Sequence, residues 1–211
     1  MAPYDPQQAS ARETLCRLLA ACYYQPGPEY AEERVFDSML DAATRIHPDL
    51  AARARRLGEE FSAEEPQSLL VDYTRLFLGP NQIIAKPYGS AWLSAETTLM
   101  QDSTMAVEQL YDEGGFEIDE NFRELPDHIA AELEFLYLLI YRENEARRND
   151  DQEALTAITG LRKRFLDEHL GSWIGPFTEA VRAGADRGFY RELAELTERF
   201  VSMEAGEDRT P

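Results

Sequence analysis

This 211-residue chain contains only two cysteines and three histidines, so it has few of the side chains that form disulfides or bind zinc. Cys16 and Cys22 lie six residues apart on the first helical pattern, which predicts small buried residues of a reduced protein. His47, His128 and His169 are too widely separated for zinc-ligand spacing. We therefore expect neither a metal site nor a disulfide.

Basic residues are also scarce: 21 Lys and Arg stand against 40 Asp and Glu, a net charge of −19. Nucleic-acid binding needs a basic face that neutralises phosphates, and an anionic membrane surface repels an acidic protein. The balance argues strongly against nucleic acid as a partner and favours basic ligands, including arginine-rich peptides. Solubility alone, or a high-salt habitat, would account for the acidity equally well.

Long apolar runs are missing as well. The longest, residues 135–141, is too short to cross a bilayer. The first residues, Met-Ala-Pro-Tyr-Asp-Pro, lack the basic region and apolar core of a signal peptide. We therefore expect a cytoplasmic protein without stable membrane insertion.

The usual catalytic motifs do not occur. The chain has no Gly-x-Ser-x-Gly elbow, no Gly-x-Gly-x-x-Gly fingerprint and no Walker loop. His128 and Glu132 could share one helical face, but a di-iron bundle needs Glu-x-x-His on two helices. A helical hydrolase using Asp127 and His128 as an acid–base pair is an alternative that lacks a recognisable nucleophile or metal. The sequence therefore predicts a binding protein rather than an enzyme.

Almost every periodic segment has helical spacing, and no segment alternates with period two between turn signals. We therefore predict one all-α domain over residues 1–211, a bundle of about nine helices with frayed ends near 1–8 and 204–211. The most apolar helix, approximately 126–148, is expected at the centre of the bundle, because residues 135–141 are apolar on all sides. Asp150 with Glu153 resembles a capping pair at the start of the following helix.

An aromatic-rich stretch beginning at Asp72 is the main candidate for function. Its helix stops at Gly79-Pro80, and a loop near 78–94 follows. Loops of that length inside compact domains are usually functional or hinge-like. As a hinge, this loop could exchange the two helical halves between chains, so we expect mostly a monomer with some domain-swapped dimer.

A second candidate is Pro126-Asp127-His128, at the start of the apolar helix. A carboxylate near a helix N-terminus is favoured by the dipole and can accept free N–H groups. In one interpretation Asp127 only caps the helix and His128 packs in the core. In the other, both residues form the polar lip of a groove that takes apolar and arginine side chains of an extended peptide. The apolar wall of that groove would be Tyr73, Leu76, Phe77, Tyr88 and Trp92.

At these residues the chain resembles the TorD/DmsD/NarJ family of cytoplasmic maturation chaperones for molybdoenzymes. The resemblance covers nearly the whole chain and depends on three motifs in the same order and spacing. The matching residues are Asp72, Tyr73, Leu76, Phe77, Gly79 and Pro80; Pro87, Tyr88, Gly89 and Ser90; and Pro126, Asp127, His128, Glu132 and Leu133. A weaker match to the family pattern comprises His169, Leu170, Trp173 and Phe177.

The resemblance implies a system-specific chaperone. It would bind the leader peptide, the apo catalytic subunit of a molybdopterin-containing oxidoreductase, or both, assist cofactor insertion, and delay export until maturation. The resemblance associates Tyr73, Leu76, Phe77, Pro87, Tyr88, Asp127 and His128 with twin-arginine leader recognition; Ser90 and Trp92 complete the predicted peptide-binding set. No tightly bound cofactor is expected, and only the resemblance suggests weak contact with a nucleotide or the molybdenum cofactor. A helical protein-binding adaptor without a maturation role is the alternative.

Overall fold

A computed structural model describes residues 4–79, 82–93, 100–119 and 122–206 of the chain. Over those residues it contains eleven α-helices, one π-helical turn and no strand. The predicted all-α architecture is therefore confirmed. Two more helices occur than the sequence predicts, because α2 (Glu29–Glu32) and α6 (Ser90–Leu93) have four residues each and are too short to show helical periodicity.

The remaining helices are long enough to carry the apolar stripes seen in the sequence. Proline occupies the first position of α1, α4 and α5, where its missing N–H costs nothing. Their bounds are α1 Pro6–Ala21, α3 Val35–Ile46, α4 Pro48–Ala63, α5 Pro66–Tyr73, α7 Met100–Gly114, α8 Ile129–Arg148, α9 Gln152–Glu168, α10 Leu170–Gly184 and α11 Gly188–Ala205. No helix within the described ranges is both long and apolar enough to span a membrane.

Helix α8 forms the middle of the bundle and packs against α1, α9 and α10. Phe135 and Leu136 are fully buried, as predicted. However, the helix begins at Ile129 rather than Pro126, and Tyr141 keeps 37% of its surface exposed. The prediction that this segment is enclosed on all sides is therefore wrong at its C-terminal half, where one face of α8 reaches solvent.

Both ends of the described chain are more ordered than predicted. Asp5 caps α1 by accepting a hydrogen bond from the Gln7 N–H at 2.9 Å. Near the other end, Glu204 is buried and its carboxylate accepts from Arg12 Nε at 2.6 Å and from Arg162 Nη1 at 3.0 Å. Residues 6–8 and 204–205 are therefore helical rather than frayed: a local cap stabilises the first end, and the distant Arg12 and Arg162 stabilise the second. Residues 1–3 and 207–211 lie outside the described ranges.

The cap of α9 also differs from the prediction by one residue. Asp151 accepts the hydrogen bond from Ala154 N–H at 2.9 Å. Asp150 instead occupies the turn before the helix with φ of 55°, a conformation in which Asp is less strained than most residues. An aspartate caps α9, but the predicted pair Asp150–Glu153 is wrong, because the cap is Asp151 and the residue three positions after it is Ala154.

The segment that leads to the candidate site is anchored by Asp72 at the end of α5. Its buried carboxylate accepts from the Arg187 N–H at 2.9 Å and from Arg75 Nη2 at 2.7 Å. These bonds tie α5 to the start of α11. The chain then continues through the π-helical turn Thr74–Leu78, a rare conformation that is frequent at functional sites.

The predicted loop near 78–94 is partly regular. Gly79 has φ of +47°, and a Cβ there would lie 2.5 Å from the backbone of Gln82, so the turn requires glycine. The N–H groups of Ile84 and Ala85 then bond to the Leu76 carbonyl at 3.2 and 3.0 Å, and α6 follows. Pro80 and residue 94, the end of the predicted loop, lie outside the described ranges.

Candidate functional site

Two motifs that are far apart in sequence meet in one backbone bridge. Gly89 N–H donates to the Asp127 carbonyl at 2.9 Å, and Ile129 N–H donates to the Pro87 carbonyl at 2.8 Å. These bonds pair Tyr88 with His128 in an isolated antiparallel bridge. We call the region formed by residues 87–90 and 124–129 the Tyr88–His128 corner.

Asp127 holds this corner together from inside. Only 1% of its surface is exposed, and its Oδ2 accepts a hydrogen bond from the Ser90 N–H at 2.7 Å. Its Oδ1 is buried without a hydrogen-bond partner among the described residues. Asp127 therefore does not cap α8 as the first interpretation proposed, because the helix begins two residues later and the carboxylate faces the 88–90 turn.

His128 is the residue that caps α8. Its Nδ1 accepts from the Ala130 N–H at 3.2 Å, and burial lowers its pKa to about 4. The ring makes edge contacts with Tyr88 and Phe122, at centroid distances of 5.4 and 6.0 Å. The neutral imidazole therefore serves as a cap and a packing ring. Asp127 makes its hydrogen bond to Ser90 instead, so the hydrolase alternative gains no support from this geometry.

A buried carboxyl group lies directly beneath the turn. Glu132 has no exposed surface, and its Oε2 accepts from Trp173 Nε1 at 3.1 Å. Burial raises the pKa of Glu132 well above its usual range, which favours the protonated form. A Cβ on Gly89 would lie 2.9 Å from Trp173 Nε1 and 3.0 Å from Glu132 Oε1. Only glycine therefore lets the turn approach this pair so closely.

The predicted peptide-binding residues divide into two groups. Tyr73, Leu76 and Phe77 are at most 7% exposed and lie in the core; for example, Phe77 contacts Tyr190 at 5.7 Å between centroids. In this conformation they form no external surface. Pro87, Tyr88, Ser90, Asp127 and His128 converge at the corner.

Trp92 lies between the two groups. Its ring contacts Phe177 of the core at 6.3 Å, and its Nε1 donates to the Lys86 carbonyl at 2.8 Å. The side chain is half-buried. Trp92 therefore connects the aromatic core to the loop that leads into the corner.

The outer surface of the corner combines three kinds of side chain. Tyr88 is half-buried, and its hydroxyl donates to Glu124 Oε2 at 2.5 Å. Glu124 is exposed, and Leu125 beside it keeps 49% of its surface in contact with solvent. An aromatic ring, a carboxylate and an aliphatic side chain are thus adjacent on one exposed surface.

Glu132 and Trp173 enter the sequence predictions as motif residues, and Glu132 also as a partner of His128 on one helical face, but their hydrogen bond is not predicted. One signal was available, since Glu132 interrupts the apolar row Ile129, Leu133 and Leu136 on the most buried helix. A carboxyl group at such a position has to be neutral or paired. Across the described residues no group of three His, Cys, Asp or Glu is placed to hold a metal ion.

Two substitutions of Asp127 distinguish the stability contributed by its hydrogen-bond acceptor from the stability contributed by its charge. Asp127→Ala leaves the buried Ser90 N–H without a partner, so we expect a loss of about 1–3 kcal/mol in the free energy of unfolding. Asp127→Asn keeps an acceptor oxygen and should cost less than half as much. Urea denaturation measures both, with Asp41→Ala on the exposed face of α3 as the control. Equal losses in the Ala and Asn variants would mean that the charge, and not the acceptor, stabilises the turn.

His128 should make stability depend on pH. The folded protein keeps the ring neutral down to about pH 4, whereas the ordinary pKa is 6.5. Between those values the unfolded chain binds the extra proton, so the stability contributed by His128 falls as the pH falls. The pH dependence of stability contributed by Glu132 runs in the opposite direction. Because its pKa is raised in the folded protein, the folded state binds the proton at a higher pH than the unfolded chain does.

Comparison with His128→Asn isolates the histidine, because Asn can still cap α8 but does not titrate. From pH 7 to pH 5 the wild type should lose about 2 kcal/mol more stability than the variant. Chemical denaturation at both pH values measures the difference. Parallel pH profiles would show that His128 titrates alike in the folded and unfolded chains.

Comparison with known proteins places the chain in a family. Residues 39–179 match the family model described as nitrate reductase delta subunit. The chain is 28% identical over 169 residues to "Chaperone protein TorD" of Vibrio parahaemolyticus, covering 80% of this chain and 71% of that protein. It is 30% identical over 137 residues to the protein of the same name from Photobacterium profundum, covering 65% and 62%.

A further relative is "Tat proofreading chaperone DmsD" of Salmonella typhi, 28% identical over 181 residues, covering 85% of this chain and 82% of that protein. These relatives are named as chaperones and not as enzymes. This agrees with the prediction of a binding protein, which was based on the lack of recognisable catalytic motifs in the sequence. The family model spans the residues of the corner, and its match and the relatives agree with the sequence motifs. The chain therefore belongs to the TorD/DmsD/NarJ family.

Proposed function

We propose that this chain is a cytoplasmic, system-specific chaperone of a molybdopterin-containing oxidoreductase. It binds the leader peptide of that enzyme, its apo catalytic subunit, or both, assists insertion of the cofactor and delays export until maturation is complete. Membership of a family whose relatives are named TorD chaperone and Tat proofreading chaperone DmsD supports this proposal.

The observation that carries the proposal is the Tyr88–His128 corner. Motif residues separated by about 40 positions meet there through backbone hydrogen bonds, and the outer surface presents Tyr88, Glu124 and Leu125 together. An apolar-basic peptide matches such a surface, because the ring and the aliphatic chain take apolar residues while the carboxylate takes arginine. The net charge of −19 steers basic peptides towards the protein.

The predicted residues contribute in different ways. Tyr88 and Trp92 contact the peptide, while Pro87, Ser90, Asp127 and His128 shape the corner from beneath. Tyr73, Leu76 and Phe77 are core residues here and reach a peptide only after the helical halves separate. The same separation, with the segment near 78–94 as a hinge, yields a minor domain-swapped dimer beside the monomer. Neither a nucleotide nor the molybdenum cofactor is held tightly.

Capture of the client tests the chaperone role. The tagged chain is recovered from its native cells grown with and without molybdate, and the proteins that co-purify are identified. We expect the catalytic subunit of a molybdopterin oxidoreductase, enriched in the starved cells because its cofactor-free form accumulates there. Equal recovery of a fully loaded enzyme would favour an adaptor without a maturation role, and recovery of no such enzyme would remove the proposal.

A substitution at Tyr88 tests the peptide site. Tyr88→Ser removes the ring from the corner surface, so affinity for a labelled peptide with two adjacent arginines and apolar flanks should fall about fivefold to thirtyfold. Tyr141→Ser, the same substitution at an exposed tyrosine far along α8, is the control and should bind normally. Fluorescence anisotropy measures both, and added salt should weaken the wild-type complex. Equal affinities for the two variants would place the peptide elsewhere.

A further inference from the structure

A second surface feature lies beside the Tyr88–His128 corner and was not identified from the sequence. It is a cavity of about 260 Å³ between the end of α1, the side of α8 and the segment before the corner. Its walls combine aromatic rings with carboxylates. The principal lining residues are Tyr24, Phe116, Phe122, Glu117, Asp119 and Glu134.

The charges of this cavity are all of one sign. Among the described residues, three carboxylates line it and no arginine or lysine does, whereas three other cavities each include at least two arginines. Glu117 and Glu134 form no ion pair with a described residue. Glu117 and Glu134 therefore give the cavity negative charge that no ion pair with a described residue compensates, within a protein whose cations mostly engage in ion pairs elsewhere.

Glu134 is the carboxylate placed deepest in this cavity. It is half-buried on α8 and its Oε1 accepts from the Tyr24 hydroxyl at 2.7 Å. Burial raises its pKa, so removal from water is not compensated by a cation within the chain. A bound cation would supply that compensation.

The rings and the carboxylates together favour one kind of cation. A guanidinium group is planar and weakly hydrated, stacks on aromatic faces and donates paired hydrogen bonds to carboxylates. An ammonium group is more strongly hydrated and gains less from flat rings. We propose that this cavity is a subsite for the guanidinium group of an arginine side chain. That the arginine belongs to a client leader rests on the proposed function; the preference for guanidinium does not.

Adjacent rings connect the cavity to the corner. Tyr24 and Phe122 are 6.3 Å apart between centroids, Phe122 and His128 are 6.0 Å apart, and His128 and Tyr88 are 5.4 Å apart. A few residues of extended peptide can follow this row, since each residue spans about 3.3–3.6 Å. One short peptide can thus place arginine in the cavity and an apolar side chain on Tyr88.

The first experiment uses small probes and needs no client. The methyl groups of Ile118 and Ala131, which also line the cavity, are observed by NMR during titration with N-acetyl-arginine methylamide. We expect saturable shifts at both methyls and none at Ile84, which does not line the cavity. The citrulline analogue, which has the same shape without the charge, should cause no shift, and the lysine analogue a weaker one. Equal shifts with citrulline, or no shift with arginine, would overturn the subsite.

Two variants assign the effect to the cavity. Glu134→Gln removes the charge but keeps an acceptor for Tyr24, so affinity for the arginine probe should fall about tenfold or more. Glu145→Gln, at an exposed position farther along α8, should leave the affinity unchanged. A similar decrease in both variants would mean that the probe responds only to overall charge.

The arginine-bearing peptide then distinguishes the two proposals. If the wild-type chain binds the peptide and replacing its arginines by citrulline does not weaken binding, the subsite is wrong while the peptide site stands. If the arginine probe shifts the Ile118 and Ala131 methyls but the peptide does not bind, the subsite stands and the proposed leader binding is wrong. We expect peptide binding that weakens about tenfold when one particular arginine becomes citrulline, and no further effect of that change in Glu134→Gln.

Discussion

The arrangement of the site depends on one buried hydrogen bond, from the Ser90 N–H to the carboxylate of Asp127, supported by the backbone bridge between Tyr88 and His128. A charge-assisted bond in a low-dielectric interior is stronger than the same bond in water. It fixes the 88–90 turn against the start of α8. Together with the two backbone bonds of the bridge, it sets the position of Tyr88 beside Glu124 and so shapes the exposed surface that we assign to a peptide.

This arrangement carries a cost in stability. Ser90 Oγ, Asp127 Oδ1 and Glu132 Oε1 are all buried without a partner among the described residues, and each such atom opposes folding. Glu132 adds a carboxyl group in the middle of the bundle, where burial raises its pKa well above the usual range. An apolar residue at that position would pack more favourably. Concentration of this cost beneath one turn is typical of a functional site, where local rules of stability are broken.

The sequence predicted the helical architecture because apolar stripes record which face of a helix is buried. It also identified the segments that meet at the corner. It could not predict the direction of the side chains: the π-helical turn Thr74–Leu78 sends Phe77 into the core, and periodicity does not show such a turn. Nor could a local pattern reveal that Asp127 bonds to Ser90, 37 residues away. Contacts between distant residues decide which candidate residues stay at the surface.

The distribution of charge follows from the same long-range contacts. Basic residues are outnumbered by acidic ones, and several arginines join helices internally, as Arg12 and Arg162 do with Glu204. Because the cations are engaged in this way, the acidic excess is concentrated on surfaces that lack them. The cavity beside Glu134 is one such surface. It is adjacent to the series of aromatic rings that runs from Tyr24 to Tyr88. The ion pairs that hold the bundle together thus also leave the negative charge where a basic peptide would meet aromatic rings.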